Sequence, residues 1–195
     1  MKKLIFTLLV LVATLAASAQ TNITAKMAGV PFGKVKSCLE KPSREAYTFD
    51  RDGNTLTYSV GKDSIIYTRQ GDEVTGEIHK KGKVKDSFKI KIIQESPEKI
   101  VLELEDTTIE ENYRPDGNLI TSVISAKDQK LIQEMQYKDA ESAVPVKMIM
   151  GNGLQSAEAK VSNVKFDEKG NWISMIVNAG DETDKITRVI EYYED

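Results

Sequence analysis

The chain has 195 residues, 27 of them basic and 30 acidic, with one histidine and one cysteine. That length suits one domain around one core, and the mildly acidic balance argues against nucleic acid as a partner, which needs clustered positive charge. A single cysteine excludes an internal disulfide, and one His with one Cys leaves a zinc site short of ligands, so neither a metal nor a cofactor is expected.

Met1-Lys2-Lys3 gives a short positive start, and Leu4 to Ala16 is apolar but too short to span a bilayer. Ala17-Ser18-Ala19 follows with the small-x-small pattern that signal peptidase reads, so residues 1–19 are expected to be a signal peptide cleaved before Gln20. The product would be periplasmic or secreted, with 25 basic against 30 acidic residues, a net charge of −5. A lipid anchor needs a cysteine directly after cleavage; Gln20 stands there and Cys38 lies far downstream. No later apolar run reaches membrane length, so no membrane anchor is expected in the mature chain.

Residues 20–45 read as an N-terminal arm carrying a short helix: Val35, Cys38 and Leu39 fall at i, i+3, i+4, and Pro42 ends the pattern. Residues 46–195 read as strands. Leu56, Tyr58 and Val60 alternate with Thr55, Thr57 and Ser59, and the same period of two returns in Val84, Phe88, Ile90 and Ile92, in Ile100, Leu102 and Leu104, in Val146, Met148 and Met150, and in Ile173, Met175 and Val177. Such alternation marks antiparallel sheet with one buried face.

The punctuation between strands repeats. Phe49, Tyr67, Tyr113 and Phe166 each precede a glycine by four residues, namely Gly53, Gly71, Gly117 and Gly170. With 12 glycines and 7% aromatics, about one such coincidence is expected by chance, so four point to a structural unit. Ile78 to Gly82 and Ile176 to Gly180 are weaker copies. In Phe49-Asp50-Arg51-Asp52-Gly53-Asn54, Asp50 can open a type I turn and Gly53 can take the left-handed conformation that follows it. Pro115 in the Tyr113 copy falls where that turn favours proline. The expected fold is therefore mainly β: an antiparallel β-meander of about ten strands after a short N-terminal helix, with each aromatic closing the inner face before its turn. Asp128 to Tyr137 fits a strand through Leu131, Met135 and Tyr137, and also a helix with Asp128 as N-cap; the strand is favoured. Lys138 to Pro145 reads as a loop.

These hairpins resemble the tyrosine-aspartate repeats of Rhs-type proteins and, more closely, those of small exported proteins of Bacteroidota. Phe166-Asp167-Glu168-Lys169-Gly170-Asn171-Trp172, with Arg188 to Tyr193, carries the second likeness. The resemblance implies a fold style and an exported location; most of that group has no assigned activity.

No catalytic constellation appears. His79, the sole histidine, reads as a surface residue at a predicted turn, and the nucleophile-elbow, dinucleotide and phosphate-loop patterns are absent. Lys83, Lys85, Lys89 and Lys91 share one strand face and read as a solvated sheet face; if Ile92 pairs with Ile100, Lys89 stands across from Glu103. Trp172 is a core residue or, following a turn, a ligand-binding aromatic. The leading expectation is a non-enzymatic binding or structural module of the envelope, its partner an envelope protein, glycan or lipid. The alternative is a periplasmic carrier of an apolar ligand, similar in plan to lipoprotein carriers, with Met135, Met148, Met150 and Met175 lining its cavity. An apolar pocket above about 300 Å³ would favour the carrier and a filled core the module.

Overall fold

The computed structural model describes residues 34–194 except 116, 117, 128, 143, 153 and 154. The expected signal peptide with Ala17, Ala19 and Gln20, most of the N-terminal arm, and Gly117 lie outside the described residues. Among those described there are fourteen strands and no helix. The first seven are β1 (Val35–Lys41), β2 (Glu45–Phe49), β3 (Thr55–Val60), β4 (Asp63–Gln70), β5 (Glu73–Lys80), β6 (Lys83–Glu95) and β7 (Lys99–Leu104). The second seven are β8 (Thr107–Tyr113), β9 (Leu119–Ala126), β10 (Gln129–Gln136), β11 (Lys147–Gly151), β12 (Ser156–Phe166), β13 (Trp172–Ala179) and β14 (Glu182–Tyr192). Each pairs antiparallel with the next, and β14 pairs with β1, so the meander closes into a barrel. Closure removes the exposed edges that an open sheet would leave for aggregation.

Two expectations are corrected here. The helix over Val35, Cys38 and Leu39 is strand β1. A register shift between Val35 and Ser37 turns both Val35 and Cys38 inward at a spacing of three, which imitates a helical face. Leu39 instead faces out, 37% exposed, across from Val189. The strand number is fourteen rather than about ten, partly because some hairpin turns carry no glycine. Glu105 and Lys127 take positive φ of 51° and 50° in turns of two residues, and neither residue type announces that conformation. The favoured strand reading of 128–137 holds, as β10.

Among the described residues, the aromatic–glycine turns at Gly53, Gly71 and Gly170 are hairpin turns. Gly53, at φ 71°, donates its N–H to the Asp50 carbonyl at 3.1 Å, and the Asp50 carboxylate accepts the Thr55 N–H at 3.0 Å. Gly170 and Asp167 repeat this, with the Asn171 N–H held by Asp167 at 2.9 Å. Gly71 makes a tighter link, one of two central residues between paired Gln70 and Glu73. Phe49, Tyr67 and Tyr113 are buried as expected; Phe166 is not, at 42% exposure, and its strand partner Trp172 turns inward in its place.

The register of β6 on β7 also differs from expectation. β6 runs on to Glu95 through a bulge beside Ile93, so Ile92 faces Leu102, and Lys91 rather than Lys89 faces Glu103. Lys89 pairs with Glu73 at 2.7 Å on the other side.

The inner face holds the apolar core, and much of the outer face is polar. Inward side chains from β1 to β10 make one core containing Tyr47, Leu56, Tyr67, Ile100 and Leu119, all nearly without exposure. Outward positions carry Thr55, Thr57 and Ser59 on β3, Glu73 and Glu77 on β5, Lys89 and Lys91 on β6, and Lys147 and Glu158 paired at 2.7 Å across β11 and β12. A lipid-embedded barrel would present an apolar band there. Here the outer face is mixed: beside those polar residues Leu39 and Val189, paired across β1 and β14, and Ile93 and Ile132 are exposed apolar side chains.

Candidate functional site

Fourteen strands enclose more width than side chains readily fill. From β1 to β9 the inner face is filled by rings: Tyr47 and Tyr58 lie 5.2 Å apart, and Tyr67 meets Phe88 edge to face at 6.0 Å across Gly76. From β10 to β14 the inward positions are smaller. Ala157 and Ala159 alternate along β12, and Ala179 pairs with Ala159 from β13. The result is a cavity of about 370 Å³ on the inner side of β10–β14.

Its wall is apolar and soft. Met135 and Met148 are direct cross-strand partners, Met150 follows on β11, and Met175 contributes from β13. All four methionines singled out in the sequence line this one cavity. Unbranched thioether side chains adapt to irregular shapes, which suits a lining that meets a variable guest. The loop expected over Lys138–Pro145 brings Val144 and Pro145 against one end, and Arg114, stacked on Tyr137 at 4.7 Å, donates to the Ser142 carbonyl at 3.1 Å to hold it.

Polar groups at the wall are few. Glu40, 8% exposed, accepts from Arg188 Nε at 3.1 Å, and the Arg188 guanidinium lies 3.6 Å from the centre of the Trp172 ring. Trp172 is therefore a wall residue of the cavity, 9% exposed, rather than a surface aromatic. Gln133 is the other buried polar residue at the wall. It continues an inward polar row across the sheet through Ser122 to Glu111, whose carboxylate accepts the Tyr113 hydroxyl at 2.5 Å.

A second polar group sits beside Glu40. Glu45 of β2 stands next to Ala46, which pairs with Leu39, and burial, then the Glu40 charge, push the Glu45 carboxyl above its usual range, while hydroxyls of Tyr47 and Tyr58 pull it down. Burial also pushes the Cys38 thiol up to about 11, against the lowering pull of Arg188. A thiol held protonated in this way is a poor nucleophile.

His79 lies on the outer face of β5, its Nε2 3.2 Å from Glu77. Among the described residues no group of three or more His, Cys, Asp or Glu is arranged to hold a metal ion. Sequence reasoning missed Glu40, Arg188 and Gln133. Charged or amide residues on alternating strands read as solvated, and nothing local told that these three face inward. The Ala157–Ala159 alternation was a readable sign of a thin inner wall.

No protein-family model matches the chain, and no curated protein is similar to it. Solved structures do match in fold. One is described as a porin-like protein from Bacteroides vulgatus, with a TM-score of 0.50 and 11% sequence identity over 82% of this chain and 99% of that one.

Proposed function

We propose that this chain is an exported, non-catalytic carrier that shelters an apolar ligand inside its barrel. The observation that carries the reading is the methionine-lined cavity of about 370 Å³, which lies within the range of small-molecule pockets. Its lining is apolar apart from a few fixed polar groups, as ligand pockets generally are. The module expectation called for a filled interior, and only the β1–β9 side meets it. Export rests on the signal-like start of the sequence, and an envelope location agrees with a fold like that of a porin-like protein. The cavity lies on the inner side of the sheet, so the reading is of a barrel that holds its guest within.

The test is binding of the fluorescent apolar probe N-phenyl-1-naphthylamine to the purified full-length chain, beside an Ala159→Phe/Ala179→Leu variant that fills the cavity. Saturable binding at a single site in the parent, lost in a variant whose unfolding transition remains cooperative, is the expected result. Absence of binding, or binding that the filled variant retains, would overturn the carrier reading.

A further inference from the structure

The charge around the cavity points to the kind of guest. Val177 and Ala179 line the cavity from β13, and their direct cross-strand partners on β14 are Asp184 and Glu182. Alternation along β14 puts those two carboxylates on the same inner face as Ile186 and Arg188. Both are exposed, near the 180–181 turn, where the barrel end meets solvent. The cavity is accessible at this end: Met150, an inner-face residue beside the Gly151–Ser156 connection at the same end, is 37% exposed.

The two charged residues that line the cavity itself, Glu40 and Glu158, are already matched. Glu40 is held by Arg188, whose side chain is fully buried and stacked on Trp172, and Glu158 is held by Lys147. Lys185 and Lys160 alternate to the outer face, paired with Ile176 and Asn178. Two carboxylates at the rim are thus left without a cation among the described residues, over an apolar interior. An incoming carboxylate would meet like charge there, and the buried Arg188 guanidinium is already engaged.

We infer that the ligand is a cationic amphiphile: an apolar body that fills the methionine-lined cavity and an ammonium or amine head that sits at the rim between Glu182 and Asp184. This inference rests on the carrier reading. Because the rim is exposed, each carboxylate contributes modestly, about threefold in affinity, and the pair about tenfold, an effect that salt should weaken.

Three probes of equal chain length separate the possibilities: dodecyltrimethylammonium, dodecanol and dodecanoate, each below its micelle concentration. Binding to the full chain is read by fluorescence of Trp172, its one tryptophan and a cavity-wall residue, and checked by calorimetry. The expected order is ammonium, then alcohol, then carboxylate. In Glu182→Gln/Asp184→Asn the ammonium advantage over the alcohol should fall about tenfold while dodecanol affinity stays unchanged. Equal affinities, a preference for the carboxylate, or an ammonium preference that survives the double substitution would overturn the inference while leaving the carrier intact. Failure of all three to bind would overturn the carrier reading and this inference with it.

Discussion

The Glu40–Arg188 pair offers the sharpest energetic test of how this interior is built. Arg188 has no side-chain exposure and Glu40 has 11%, with Nε to Oε2 at 3.1 Å. Removing one partner leaves the other charge stranded in an apolar wall, which costs about 3–5 kcal/mol. For Arg188→Met the lost stacking on Trp172 adds about 1 kcal/mol. In a domain of this size each kcal/mol lowers Tm by roughly 2–4 °C, so the single variant should lose about 10 °C or more. Glu40→Leu alone should cost at least as much, because it strands the more deeply buried charge. Arg188→Met/Glu40→Leu together remove both charges and fill the space with apolar atoms, and such a swap is often neutral or stabilising. Urea unfolding followed by far-UV circular dichroism should show the double variant costing at least about 3 kcal/mol less than the two singles added. Additivity to within about 0.5 kcal/mol would refute the pairing as drawn.

A Cβ built at Gly76 would lie only 2.3 Å from the Phe88 ring, so Gly76→Ala should destabilise by about 1–3 kcal/mol, and pairing it with Phe88→Ala should remove most of that added cost in the same urea assay. Glu45→Gln should stabilise at pH 7 and do little at pH 3. A carboxyl whose folded pKa is raised binds its proton more tightly when folded, so its ionisation lowers stability as pH rises from the unfolded value near 4.5 through the raised one, and the penalty persists above; pH-resolved unfolding midpoints check the sign. Cys38, 1% exposed with its thiol pushed up to about 11, should resist Ellman's reagent at pH 8 in the folded chain and react fully in urea.

Much of the barrel was legible because hairpins are local. Asp50 with Gly53, and Asp167 with Gly170, encode a turn in five residues, and the alternation in Leu56–Tyr58 or Ile100–Leu102–Leu104 encodes which face is buried. What was illegible is non-local or lacks a marker. The Val35 bulge breaks alternation and passes for a helix, and the Glu105 and Lys127 turns adopt positive φ without the residue that favours it. Closure itself depends on β1 meeting β14, from Cys38 against Ile190 to Lys41 against Thr187, a pairing across almost the whole chain that no local pattern records.

The site was half legible for a related reason. Where the cavity lies follows from how ring-bearing residues are distributed along the chain. Inward Tyr47, Phe49, Tyr58, Tyr67, Phe88 and Tyr113 fall before β9; the later rings Tyr137, Trp172 and Tyr192 stand at strand ends, and β11 and β12 offer methionine, alanine and valine inward. A sheet closed on itself must span the same width on both sides, so the side given small residues is the one left open. The four methionines were therefore recognisable as a lining once strands were assumed. The charges were not, because a glutamate on an alternating strand belongs inside or outside according to its phase alone. Glu40 owes its inward phase to the bulge at the start of β1, and Asp184 owes its place at the rim to pairing with Val177. One residue inserted or removed beside either would carry that carboxylate to the outer face. The polar chemistry of this cavity is thus set by register, and its apolar volume by composition.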